Sequence, residues 1–191
     1  MKGRITAFAA LANAALLLAV IAVFAFLPAG PVWSGHTLAF VILAGPVPLA
    51  TIAAALGLMR HPATLNMRWF VRIGSVSLVI SAAIMCGAAL MALDTIRRLD
   101  TSTWAFLVPF LALFPIFILG GLGALCVGAA RLAVSDETNW LAILGLVAAV
   151  AGIFIAGGGV PILIAAIALV FWWALLGAML FLYKAPQGIP S

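Results

Sequence analysis

Residues 5–27 read ITAFAALANAALLLAVIAVFAFL, 23 in succession without a charge. About 20 apolar residues, rising 1.5 Å each, cross the roughly 30 Å hydrocarbon core of a bilayer. Lys2 and Arg4 stand just before the stretch, as basic residues do in a secretory signal. A signal's apolar region runs only about 7–15 residues and ends at a small-residue cleavage site. This one is longer, and no A-x-A-like site follows it. It reads as an uncleaved transmembrane helix.

The same pattern recurs along the chain. Further spans are predicted at about 37–59, 73–93, 104–130, 141–156 and 160–183, which makes six. The expected fold class is all-α: one polytopic transmembrane helix bundle over residues 1–191. Composition points the same way. Hydrophobic residues are 68% of the chain and charged residues 7%, against about 45–50% and 25% in soluble domains. The mean hydropathy is +1.38, and no single core hides that much apolar surface from water. The longest connection, residues 60–72, has 13 residues and houses no soluble domain.

Basic residues set orientation through their excess in cytoplasmic loops. With the N-terminus inside, Lys2, Arg4, Arg60, Arg68, Arg72, Arg131 and Lys184 share one side and only Arg97 and Arg98 the other. Seven against two places both termini in the cytoplasm. Trp33 and Trp104 then fall at the outer boundary, and Trp69, Trp140 and Tyr183 at the inner one, where amphipathic rings settle. The sequence pI near 10.3 reflects these anchors rather than a nucleic-acid surface. At the outer end Asp94 precedes Arg97 and Arg98 by three and four residues, a spacing for local ion pairs, with Asp100 just beyond. The expected setting is a bacterial inner membrane.

Lipid offers no hydrophobic drive for helices to associate, so small residues that let backbones approach must supply contact. Gly120, Ala124 and Gly128 form such a stripe on the fourth span, and Ala148, Gly152 and Ala156 on the fifth. These two spans are expected to pack along their stripes. Ser77 and Ser81, then Ala83 and Gly87, give the third span two more. Cys86 and Cys126 lie at different depths, about 20 and 6 Å from the inner end of their spans, too far apart for a disulfide.

Features that suggest a ligand are few. Gly45-Pro46-Val47-Pro48 interrupts the second span, where Pro46 and Pro48 remove two backbone donors. Pro109 and Pro115, with Gly120-Gly121 beyond, are expected to disturb the fourth. Broken helices at membrane depth line cavities or are buried in protein, and in transporters they mark substrate sites. Trp172 and Trp173 sit near the middle of the sixth span. At about 100° apart, at most one is expected to face lipid, leaving the other for the core or a ligand. Asn13 is the one carboxamide inside a span, suited to an interhelical hydrogen bond. The candidate contact residues are thus Asn13, Pro46, Pro48, Pro115, Trp172 and Trp173.

Absences narrow the chemistry. No Asp, Glu, Lys, Arg or His lies mid-span, which disfavours an ion-coupled pump or voltage sensor. His36 and His61 lie about 37 Å apart on an ideal helix and cannot clamp one haem within the chain. There is no G-x-S-x-G elbow, no H-E-x-x-H helix and no buried aspartate pair, so no catalytic or metal site is expected. The arginines of the 60–69 loop suit anionic head groups. The leading expectation is a non-catalytic membrane subunit packed against a larger complex of respiratory or photosynthetic type. Such a subunit would contact lipid, quinone or pigment. The alternatives are a passive channel or carrier for a small neutral or lipid-like solute, and a lipid-modifying membrane enzyme.

Overall fold

The computed structural model describes residues 2–26, 34–60, 68–98, 103–132, 139–154 and 159–182. Trp33, His61, Asp100, Ala156, Tyr183 and Lys184 lie outside the described residues. So do the side chains of Lys2, His36, Trp104, Pro109 and Arg131.

In order the elements are α1 (Lys2–Phe26), α2 (Ser34–Ala44), α3 (Pro46–Met59), α4 (Arg68–Arg98), α5 (Thr103–Leu132), α6 (Trp140–Ile153) and α7 (Gly159–Leu182). An all-helical answer is what lipid demands, because a helix satisfies its backbone polar groups internally. Every long exposed face is apolar, with Phe8, Leu18, Ile73, Leu90, Phe171 and Phe181 among the outward side chains. The chain is an integral membrane protein.

Among the described residues five helical stretches are long and apolar enough to cross a membrane; the second of them is α2 and α3 taken together from Ala39 to Met59. The remaining helix, α6, has 14 residues. It measures about 21 Å, short of the roughly 30 Å hydrocarbon thickness. The fifth span expected at 141–156 is thus a helix that stops at Ile153, where the Phe154 N–H turns back to the Ala151 carbonyl. α4 is the opposite case, 31 residues with its charges confined to its ends.

Counted with α2 and α3 as one broken rod, six rods stand in a ring in chain order. α1 packs on α2 and α3, these on α4, α4 on α5, α5 on α6, α6 on α7, and α7 closes the ring against α1.

The tightest seam joins α5 and α6. A methyl group on Gly121 would meet the backbone of Ala149, and one on Gly128 the backbone of Ala142. One on Gly145 would meet the backbone of Ala124 and Leu125, and one on Gly152 Phe117 and Ile118. The partners run in opposite directions, so the helices are antiparallel, in backbone contact where no side chain fits. Asn139 fastens the near end. Its carbonyl oxygen accepts from the Ala142 N–H at 3.2 Å, capping α6, while its amide nitrogen donates to the Gly128 carbonyl. The expected pairing of stripes is present in part, with one correction. Gly121 rather than Gly120 faces α6; Gly120 faces Ser81 and Leu169.

Gly74 of α4 and Gly123 of α5 make a second close crossing, each set against the other's carbonyl oxygen. Farther along, the Ser81 hydroxyl donates to the Ile116 carbonyl at 2.8 Å. Both cysteines are free. Arg98 pairs with Asp94 at 2.8 Å on the α4 surface.

Candidate functional site

The expected break in the second span lies at Gly45, between α2 and α3. The Leu49 N–H to Gly45 carbonyl bond, 3.0 Å, restarts the helical ladder beyond it. Pro48 has no N–H, so the Ala44 carbonyl loses its helical donor. The Cys86 thiol donates to that carbonyl instead, at 2.9 Å. α5 behaves differently. It is one helix through Pro109 and Pro115.

The two halves of the bundle differ in packing. At the end bearing Arg4, Arg60 and Arg72, small residues let the rods close completely. Ala7, Ala10, Ala54, Leu58, Leu176 and Leu180 form a solid core there, and Gly57 leaves no room beyond Thr6 of α1. In the other half the rods part around a cavity of about 740 Å³. That volume lies within the range of small-molecule sites, about 300–1,000 Å³.

Three polar residues sit at the inner limit of this space. Asn13, Thr51 and Ser81 each lie nine residues from a basic residue at the packed end, Arg4, Arg60 and Arg72 respectively. That is about 14 Å along each helix, so three separate elements place them at one level. Asn13 donates from its amide nitrogen to the Thr51 hydroxyl at 2.9 Å. The Asn13 carbonyl oxygen has no hydrogen-bond partner, although the residue is fully buried. An unpartnered buried acceptor costs about 1–3 kcal/mol. Trp173 of α7 also lines the space.

Above this floor the wall is apolar: among the described residues Thr95 is its one further polar side chain, and no charged residue, histidine or cysteine lines it. α4 turns Ala82, Ala88, Ala89 and Ala92 inward, and their small size is what leaves the volume. At the far end Phe24 of α1 and Phe40 of α2 meet edge to face at 5.9 Å, both on the wall.

The candidate residues fare unequally. Asn13 and Trp173 line the cavity. Trp172 is fully buried behind it, its ring edge-on to Trp173 at 4.8 Å, with its indole N–H unpartnered. Neither tryptophan faces lipid. Pro46 is exposed, Pro48 buried and Pro115 half-buried; they flank lining residues Val47 and Ile116 without lining the space themselves. Among the packing residues, Ala124, Gly128, Ala148 and Gly152 lie buried between α5 and α6, and Gly120 lines the cavity. Sequence reasoning missed Thr51 as a floor residue. Its only signal is a hydroxyl among apolar neighbours, at the same distance from Arg60 as Asn13 from Arg4. No group of three or more potential metal ligands occurs among the described residues.

Comparison with protein-family models, curated proteins and solved structures finds nothing that matches this chain.

Proposed function

We propose that the protein is a passive membrane carrier for a small neutral, lipid-like solute, held in the cavity inside the ring. The observation that carries this reading is the cavity itself, whose described lining is apolar along the wall and polar only at the floor and at Thr95. Such a space suits a molecule partitioned from lipid, whereas an ion would find no compensating charge. The break at Gly45 supports passage as well as binding. α2 forms the wall near Phe40 and Leu43 and joins α3 through one non-helical residue, the type of discontinuity that lines substrate sites in transporters.

In the same reading the cavity opens away from the cytoplasm, at the end bearing Arg97 and Arg98, with both termini cytoplasmic by the charge asymmetry. The setting is a bacterial cytoplasmic membrane. In the same reading α6 serves as the sixth crossing.

Purification in mild detergent followed by organic extraction tests the reading. A stoichiometric apolar molecule is expected from the native protein, and less of it from Ala88→Phe and Ala166→Phe, which project rings into the space. Equal recovery from all three proteins would remove the carrier reading.

One observation favours a second reading, the accessory subunit. Ala83 and Gly87 are exposed on the outer face of α4, and a methyl on Gly87 would meet nothing within 4 Å. Such a strip admits a helix from another chain at close range. Measuring the mass of the same purified sample distinguishes them: a stoichiometric second polypeptide supports the subunit, a lone chain or homo-oligomer the carrier.

A further inference from the structure

The Asn13 carbonyl oxygen is a fully buried acceptor on a residue that lines the cavity, and no donor among the described residues reaches it. Buried polar groups are paired in the great majority of cases, and an exception calls for a partner. Thr51 is also incomplete. Its oxygen accepts from Asn13, and a hydroxyl still has one proton to donate. The pair therefore holds one free acceptor and one free donor at the foot of a wall whose described residues carry no charge, the acceptor covered until the floor parts to admit a ligand.

We propose that Asn13 and Thr51 form the head-group site for a neutral apolar alcohol. The ligand hydroxyl donates to the Asn13 carbonyl oxygen, and its oxygen accepts from the Thr51 hydroxyl. The hydrocarbon body extends toward Phe24, eleven residues farther along α1 and about 16 Å away. This rests on the carrier reading and adds the chemical class of the solute.

The alternatives within apolar chemistry match less well. A hydrocarbon or an ether has no proton for Asn13 and leaves the acceptor as it stands. A carboxylate or an ammonium head would enter a wall with no countercharge among the described residues, where an unpaired ion is strongly disfavoured. A hydroxyl supplies both halves of the exchange.

The test uses four probes with one chain: 1-tetradecanol, its methyl ether, tetradecanoate and tetradecylamine. Binding to the full-length protein in detergent is read by equilibrium dialysis and by the shift in thermal unfolding. The native protein is expected to bind the alcohol about 10-fold or more tightly than the ether, the gain from pairing a buried acceptor. Asn13→Leu combined with Thr51→Val removes both partners together, a replacement that leaves folding nearly unchanged. The double variant is expected to bind alcohol and ether equally. Thr51→Val alone, close in shape to the native side chain, is expected to retain part of the preference.

Native protein that binds alcohol and ether alike overturns the head-group assignment and leaves the carrier reading standing. Tighter binding of either charged probe also overturns it. Failure of every probe to bind, with no effect of Ala88→Phe on recovered lipid, removes both readings together.

Discussion

The Cys86 thiol on α4 occupies the hydrogen-bonding position that Pro48 vacates, donating to the Ala44 carbonyl at 2.9 Å. A proline break in lipid exposes a carbonyl with no water to satisfy it, and neighbouring helices often supply the donor. Cys86→Ala is therefore expected to destabilise the protein by about 1–3 kcal/mol. The penalty should shrink when Pro48→Ala restores the helical N–H. A double-mutant cycle of detergent unfolding reads the coupling, and additive effects would show that the thiol is not the carbonyl's donor.

The α5–α6 seam admits no side chain at its glycines. Gly121→Ala, Gly128→Ala and Gly145→Ala each force a methyl against backbone, and overpacking of this kind costs about 1–3 kcal/mol or more. Gly87→Ala is the control, since it meets open space. Thermal unfolding should fall for the three and hold for the control.

Asn139 makes two contacts with one amide, and its variants separate them. Asn139→Asp keeps an acceptor for the Ala142 N–H but loses the donor to Gly128, whereas Asn139→Ala loses both. Alanine is expected to cost about 1–2 kcal/mol for the cap alone, and aspartate less. Equal losses would mean that the cap contributes nothing measurable.

Rejoining the broken rod tests transport. Pro46→Ala with Pro48→Ala restores two backbone donors across the Gly45 junction. Flux of an apolar alcohol into liposomes should fall severalfold while binding persists. Unchanged flux would detach the break from passage.

The Asp94–Arg98 pair is exposed on both sides. Asp94→Asn should change stability by less than about 1 kcal/mol, and by less still at high salt. A larger change in unfolding would place the pair in a more shielded setting than its exposure indicates.

Much of this architecture is legible in the residues. Apolar runs between basic anchors mark the long helices, and Gly45-Pro46 marks the one break. At Pro115 the helix continues, as proline in a membrane helix need not end it when neighbours steady the backbone. The register error at Gly120 has a simple geometry. A spacing of four picks 120, 124 and 128, whereas an antiparallel seam at a small crossing angle alternates threes and fours. It runs through Phe117, Gly121, Ala124 and Gly128, one residue aside. The cavity is hardest to read. It is made by alanines of α4 standing opposite side chains of α1 and α7 that do not reach them. No local pattern records a missing contact between residues 80 positions apart.

The ring closes through α7 against α1, two helices far apart in the chain. Without α7 the interior lacks the side that Leu169 and Trp173 supply, so the pocket takes shape only once these distant stretches of the chain have met.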